Sequence, residues 1–449
     1  MYDTLDDFLG EHPLTESVDL LLPDLSGVLR GKRLPPDGVR TALDGGSFFT
    51  TTLYSIDTAG ANVAESGLVW EAGDADRPLR LDPRTLRPVP WRAGGAQIIG
   101  GLAEPDGSGF FADPRRVLAD VAAGFAPLGL TPVTALEFEF YLIDGANGEG
   151  GAPLVPHSAR LGYRPAETEV FAPERMEDQE PFFELVERYC EAQEIPIKGA
   201  LCEFAPGQFE INLGHGADMV AAADQGVMLK RCIKAAARAT GQRATFMAKP
   251  YAEQSGSGLH VHLSLVDAEG RNLFGQTEHG ELHMRHAVRG LQDLMTESML
   301  LFAPNANGYR RLRPMTYAPT APTWGWNNRT VALRIPPGGA GARRIEHRVA
   351  GADANPYLVL AAVLAGVLRG LARREEPTPP IEGNAYAQTM ASLPLTWEAA
   401  IDAFRDGALL PEWFGQSFCK LFAACRQAER DRFHSRITPT EYEWYLTTV

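Results

Sequence analysis

Glu137-Phe138-Glu139 sets two carboxylates two positions apart inside TALEFEFYLI, a run whose residue types suit a β-strand. Successive strand side chains alternate between faces, so Glu137 and Glu139 share one face while Phe138 and Phe140 take the other. Two like charges side by side call for a cation. A second pair, Glu203 and Glu210 in CEFAPGQFEINL, is separated by a Pro-Gly turn that can bring two strand ends to one point. His260-Val261-His262 puts two imidazoles on one strand face beside the flexible Ser255-Gly256-Ser257-Gly258, an arrangement suited to ligation. Arg344-Ile345-Glu346-His347-Arg348 alternates Arg, Glu and Arg along one face. Each motif alone has an ordinary explanation: a solvated strand face, a satisfied pair of core histidines, or a surface salt-bridge ladder worth little.

Together they supply five carboxylates and one or two histidines from separate strands, an oxygen-dominated set suited to hard divalent cations such as Mg²⁺ or Mn²⁺. Zinc suits it less, because no cysteine joins the set. Arginines are concentrated near the same segments: Arg310, Arg311, Arg329, Arg334, Arg343, Arg344 and Arg348. Metals and fixed guanidiniums together suit a site that neutralises a triphosphate and a transferring phosphoryl group. These residues point to ATP-dependent phosphoryl chemistry. The chain contains neither the GxxxxGK[ST] loop nor a kinase-type glycine loop, so another nucleotide fold is required.

The elements that must position these residues divide near residue 110. From Ser17, VDLLLPDLSGVLRGKRLP reads as a hairpin turning on Asp24 to Gly27. Residues 70–95, rich in Pro, Arg and Gly, read as an ordered loop linking short strands. The first 105 residues thus look like a small, mostly β domain. A helix should start at Asp113-Pro114, with the Asp as N-cap and Pro in the first turn. Beyond it TALEFEFYLI, CEFAPGQFEINL, GLHVHLSLV and NRTVALRIP run at strand length, and residues 216–240, 278–301 and 354–373 carry helical periodicity. The larger unit is α+β. With 57 acidic and 42 basic residues the 449-residue chain carries a net charge of −15 and no dense basic run, which excludes nucleic acid as an expected partner. Five scattered cysteines fit a reducing cytoplasm. The N-terminus lacks a signal-peptide pattern, and the apolar run 357–368 is short of a bilayer span, so no membrane is expected.

The motifs, taken in order, resemble the glutamine synthetase family along nearly the whole chain. They read Asp24-x-x-Gly27-x-x-Arg30-Gly31-Lys32, Glu137-x-Glu139-Phe140, Glu203-x-Ala205-Pro206-Gly207-Gln208-x-Glu210, Ala244-Thr-Phe-Met-Ala-Lys249-Pro250, Gly256-Ser-Gly-Leu-His260-Val-His262-Leu-Ser264, Asn328-Arg329, Arg334-Ile-Pro336, Arg344-Ile-Glu346-x-Arg348 and Asn355-Pro356-Tyr357. The resemblance implies a β-grasp N-terminal domain over residues 1–108 and a catalytic α+β domain over residues 109–449, whose antiparallel strands line a funnel. It also implies a homo-oligomer, typically a dodecamer of two rings, with each active site closed by the neighbouring N-terminal domain. Carried over residue by residue, Glu139, Glu203 and Glu210 would hold one metal, and Glu137, His260 and Glu346 a second. His262 and Ser264 would touch ATP, Arg329 and Arg334 would line its phosphates, and Arg344 would stabilise the transferring group. Gly256, Arg311 and Arg348 would grip glutamate, and Arg329, Arg344 and Glu210 are the catalytic candidates. The implied chemistry is attack of the γ-carboxylate of glutamate on ATP, then attack of an amine on the acyl phosphate.

Three departures bear on the amine. Thr50 follows Gly46-Ser47-Phe48-Phe49 where ammonia-using members carry an Asp, Tyr317 replaces the Glu of their flap, and Ser255 replaces the Asn of their glutamate loop. Tyr386 sits where some members carry a nucleotidylated Tyr, but its flanks differ, so adenylylation is not expected. Ser55-Ile-Asp57-Thr-Ala-Gly60, Gly73-Asp-Ala-Asp-Arg77 and 318–325 look like the γ-glutamylpolyamine and γ-glutamylputrescine synthetase branch. The expected second substrate is an organic primary amine, in a pocket formed by Thr50, Tyr317, Trp324 and Trp326, with Asp57, Asp74 and Asp76 as candidates for a far ammonium. The alternatives are a glutamine synthetase using ammonia and, in another class, a catalytically silent ring protein with a structural or regulatory role.

Overall fold

The computed structural model describes residues 2–158, 160–167, 169–275, 278–388 and 392–449. Two sheets organise it. The N-terminal sheet is built from β1 (Ser17–Pro23), β2 (Leu29–Leu34), β3 (Phe48–Thr50), β4 (Asp76–Leu81), β5 (Arg87–Pro88) and β6 (Gly95–Leu102). Its order is β2-β1-β6-β4-β3, with β5 on β6, and β1 runs parallel to β6 while the other pairs are antiparallel. The hairpin expected from Ser17 is β1–β2, and the turn is held by Asp24, whose Oδ1 accepts the Ser26 and Val28 N–H groups. The stretch 70–95, expected as a loop, contributes β4 and β5; Leu79 supplies an apolar anchor there, buried at the centre of the short β4.

The second sheet comprises β7 (Thr131–Asp144), β8 (Ile197–Cys202), β9 (Gln208–Leu213), β10 (Gln242–Thr245), β11 (Leu259–Val266), β12 (Trp324–Trp326), β13 (Leu333–Ile335) and β14 (Ile345–His347). Its order is β12-β13-β14-β11-β7-β9-β8, with β10 on the far half of β7. The strands pair antiparallel except at one edge, where β12 and β13 run parallel, a departure from the expected all-antiparallel sheet. The Asn328–Pro336 run yields only the three residues of β13 as strand; Asn328 instead turns the chain, its Oδ1 accepting from the Thr330 N–H and hydroxyl.

Along β7, Leu136, Phe138 and Phe140 are buried, whereas Glu137 and Glu139 are only partly so, which is the two-residue alternation read from the sequence. The apolar face packs under the helix Met219–Ala239, capped by Asp218, whose carboxylate accepts the Ala221 N–H. The helix Pro114–Ala123 starts with Asp113 as N-cap and Pro at N1, as its sequence requires. At the centre, Pro356–Arg373 lies against Glu278–Phe302. It exceeds the apolar run seen in the sequence and is long and apolar enough by composition to cross a membrane, but most of it is buried among the other helices. All five cysteines are free and buried.

Candidate active site

Cross-strand pairing assembles the charged residues. His260 on β11 stands opposite Glu137 on β7, which stands opposite Asn212 on β9. Glu139 stands opposite Glu210, and His262 opposite Glu346, which faces Arg334 in turn. Directly paired residues point to the same side of a sheet, so these pairings line up one polar face. The β8–β9 connection adds Glu203, whose backbone N–H donates to the Gln208 carbonyl to close the turn.

Among the described residues, ligating atoms lie within 4.8 Å of one another in three groups: Glu139, Glu203 and Glu210; Glu137, Glu210 and His260; and Glu137, His262 and Glu346. The carboxylates expected together are therefore brought together, but His262, assigned to nucleotide from the resemblance, shares the Glu137–Glu346 group, and His260 joins Glu137 and Glu210. Hard oxygen donors with one imidazole suit Mg²⁺ or Mn²⁺. The glycine loop permits this closeness. A Cβ on Gly256 would stand 2.7 Å from Arg311 Cγ and 2.8 Å from the Ala248 carbonyl, and one on Gly258 would stand 2.8 Å from Arg311 Nη2 and 3.0 Å from His260 Nε2. The Gly258 N–H donates to Glu139 Oε2 at 2.6 Å.

All six expected ligands line one cavity of about 500 Å³ together with Gly256, Arg311, Arg329, Arg334, Arg344, Arg348 and Tyr317. Ser264 lies in an adjoining cavity of about 370 Å³ that shares Glu137, His262 and Arg344 as walls. Arg344 Nε donates to His262 Nδ1 at 2.9 Å. A guanidinium can only donate, so this bond puts the ring proton on Nε2, which lies 2.7 Å from Glu137 Oε1. Glu346 is held by Arg334 at 2.8 Å and by Arg348. The Arg344–Arg348 segment is thus no surface ladder: Glu346 and Arg348 are 1% and 4% exposed. Arg311 donates to the Val349 and Arg348 carbonyls at 2.7 and 3.3 Å.

The expected amine pocket is only partly assembled. Trp324 is buried, its indole N–H donating to the Thr378 carbonyl at 2.5 Å, and Trp326 packs under the Arg343 guanidinium at 4.9 Å. Neither tryptophan lines the two cavities, because the register of β12 on β13 pairs them with Leu333 and Ile335, on the face opposite the cavity-lining Arg334. Thr50 is also outside them, its hydroxyl donating to Asp74, which accepts the Thr52 N–H at 2.9 Å as well. Asp57 is buried and paired with Arg432, while Asp76 begins β4. Sequence reasoning passed over Asn212, which donates to Glu210 Oε1 at 3.0 Å and shares its face by strand alternation. It also passed over Asn327, which accepts from Arg334 at 2.9 Å, and over the cavity residues Phe171 and Phe204. Phe171 lies in a stretch without periodicity, so only the three-dimensional structure places it.

The carboxylates differ in charge state. Burial acts to raise Glu137, but hydrogen bonds from His260 and His262 outweigh it and hold the group well below the usual carboxylate range. Burial likewise opposes ionisation of Glu346, yet Arg348, the two histidines and Arg334 bring it down to about 2. Glu203 is pushed up to about 7 by burial and then by the charge of Glu139. Glu210 is pushed up to about 9 by burial and by Glu137, Glu139 and Glu203.

A mostly antiparallel sheet carrying paired carboxylates, histidines and arginines on one face, with helices packed on the other, is a glutamine synthetase-type architecture. Residues 111–445 match the glutamine synthetase catalytic domain, and the chain belongs to the glutamine synthetase family, as a carbon–nitrogen ligase. It is similar to the γ-glutamylputrescine synthetase PuuA of Escherichia coli, with 38% identity covering 98% of this chain and 93% of that protein. The γ-glutamylethanolamide synthetase GlnA4 of Streptomyces coelicolor is 32% identical, over 95% and 91% of the two chains. The glutamate–isopropylamine ligase of a Pseudomonas species is 31% identical over 99% and 97%. Among solved structures, ligand-free GmaS superposes with a TM-score of 0.85 at 27% identity, covering all of both chains.

Proposed function

We propose that this protein joins the γ-carboxylate of L-glutamate to an organic primary amine, using ATP and passing through γ-glutamyl phosphate. The observation that carries the reading is the meeting, in one cavity, of the carboxylate and histidine groups with the arginine-rich wall. Two or more Mg²⁺ or Mn²⁺ ions fit the donor set, and when bound they supply charge neutralisation at the phosphates. Glu139, Glu203 and Glu210 would hold one ion; Glu137, His260 and Glu346 would hold the second, their donors divided between the Glu137–Glu210–His260 and Glu137–His262–Glu346 groups. Ser264 and His262 face ATP, Arg329 and Arg334 line its phosphates, and Arg344 steadies the group in transfer. Gly256, Arg311 and Arg348 receive glutamate. In the first step the γ-carboxylate oxygen bonds to the γ-phosphorus as the bond to ADP breaks. In the second, the amine nitrogen bonds to the acyl carbon, phosphate leaves, and the amine gives up a proton. Positioning and fixed charge do most of this work.

An ammonium ion is small and needs close carboxylates to collect and deprotonate it, but Thr50 and Tyr317 occupy the positions from which the resemblance expects them. Relatives named for putrescine, ethanolamine and isopropylamine support an organic amine. That Thr50 does not line its own chain's cavity supports a homo-oligomer, a dodecamer in our reading, in which residues 1–108 of one subunit close the site in residues 109–449 of the next. Free buried thiols support the cytoplasm.

The test is phosphate release with ATP and glutamate over ammonia, methylamine, ethanolamine, isopropylamine, putrescine and spermidine. A higher kcat/KM for at least one organic amine than for ammonia is expected. The highest value with ammonia would make the protein a glutamine synthetase, and absence of release together with absence of metal and nucleotide binding would make it a silent member of the family.

A further inference from the structure

At the mouth of the carboxylate cavity stand three aromatic rings from three separate segments. Phe171 precedes the helix Glu180–Ala192, Phe204 follows Glu203, and Tyr317 lies in the segment after Arg311. Their ring centroids are 6.3 Å apart from Phe171 to Phe204 and 5.9 Å from Phe204 to Tyr317, and all three line the cavity. They are 61%, 41% and 51% exposed, so core packing does not account for them. Two of them sit on unfavourable backbone: φ is +61° at Phe171 and +59° at Tyr317, in the left-handed region that bulky side chains seldom occupy. Hydrogen bonds of the adjacent segments hold both in place. The Phe171 N–H donates to the Cys202 carbonyl at 3.1 Å, the Thr316 hydroxyl to the Arg313 carbonyl at 2.6 Å, and the Tyr386 hydroxyl to the Ala318 carbonyl at 2.9 Å. Strain that is held in place at a cavity mouth, where it aims apolar rings, is the pattern of a site that selects its ligand.

We propose that Phe171, Phe204 and Tyr317 form a rim that selects the amine by its carbon stem. Its ligand is a primary amine whose methylenes lie along the rings while its nitrogen enters past Glu203; the outer ammonium of a diamine rests against the ring faces. The rim rests on the ligase reading above and specifies the substrate class of that site. Ammonia has no apolar surface to place on the rings. Each methylene laid on them should improve KM by about 3–4-fold, and a ring-bound ammonium adds to that.

The experiment compares kcat and KM of the wild type with Phe171→Ala, Phe204→Ala and Tyr317→Ala for ammonia, methylamine, propylamine, butylamine and putrescine, with Tyr317→Phe as the ring-preserving control. Alanine variants should raise KM for propylamine, butylamine and putrescine by about 10-fold. Phe171→Ala and Phe204→Ala should leave KM for glutamate and ATP and the ammonia reaction within about 2-fold, and Tyr317→Phe should keep the chain-length preference. Variants that keep the chain-length preference would overturn the rim while leaving the ligase intact. So would variants that change oligomeric state without moving amine KM, since the rings would then cover a subunit contact. A wild type that releases phosphate no faster with any amine than with none would instead remove the ligase reading, and the rim with it.

Discussion

Glu346 and Glu210 are both glutamates buried in one cavity, yet they are supported in opposite ways. Glu346 lies between Arg334 and Arg348, so its charge is answered within the chain. Glu210 has a neutral amide, Asn212, as its hydrogen-bond partner and faces Glu137, Glu139 and Glu203. Burying an unanswered carboxylate costs several kcal/mol, so the first half is electrostatically complete and the second is completed only by added cations. That difference separates two kinds of support within one site: Glu346 is paired inside the chain before any ion binds, whereas Glu210 depends on what binds beside it. Each can be broken separately.

The largest effect is expected from removing ligands of the unanswered half. Glu139→Ala or Glu210→Ala should lower kcat by about 10³-fold or more, because several kcal/mol of charge stabilisation at the phosphates would be lost. Without metal, however, Glu210→Gln should melt at or above the wild-type temperature at pH 8, since the amide avoids the cost of protonating a carboxyl that is ionised in the unfolded chain. Near-normal turnover in Glu139→Ala, or a large fall in the metal-free Tm of Glu210→Gln, would put the two halves on the same footing. The complete half should answer the other way. Glu346→Ala strands two buried guanidiniums and should cost about 3–5 kcal/mol of stability, read by urea unfolding.

A pH titration sharpens the contrast. With folded-state values raised to about 7 and about 9, Glu203 and Glu210 bind more protons folded than unfolded. Their contribution to stability is therefore greatest at low pH, falls as pH rises from the ordinary carboxylate range, and levels off once both are ionised. Metal must displace those protons. Affinity for Mg²⁺ should accordingly rise about 10³-fold between pH 6 and 8, with proton release visible by calorimetry in two buffers of different ionisation enthalpy. A flat profile would mean that these two carboxylates are already ionised without metal. Glu346, lowered to about 2, contributes stability that is lost as the pH falls from the ordinary carboxylate range through that value, so it leaves this window unaffected.

The contrast itself was not legible in the sequence, although both halves were. The two-residue alternation at Glu137, Glu139, His260 and His262 disclosed which side chains share a face, because strand geometry fixes it locally. Which face meets which depends on cross-strand register: His262 opposite Glu346 is a pairing of residues 84 positions apart that no local pattern encodes. The same limit explains the tryptophans. Their position in the chain, between Arg311 and Arg329, is consistent with a shared pocket, but the register of β12 on β13 puts them on the face of Leu333 and Ile335, opposite Arg334. Phe171 escaped attention for the opposite reason, since it belongs to a segment with no periodicity to read.

The smallest expected effect comes from the residue that joins the halves to the nucleotide side. Arg344 donates through Nε to His262 Nδ1 and stands on the wall common to both cavities. Its planar fork can hold His262 in the tautomer that faces Glu137 and still present its remaining donors to a phosphoryl oxygen. A lysine keeps the charge but offers a single ammonium, which cannot do both. Arg344→Lys should therefore lower kcat by about 10-fold, the equivalent of one charge-assisted hydrogen bond, while KM for glutamate stays within about 2-fold. Steady-state kinetics separates the outcomes. A rise in glutamate KM at unchanged kcat would move Arg344 to the substrate side, and the link between ring tautomer and phosphoryl transfer would be lost.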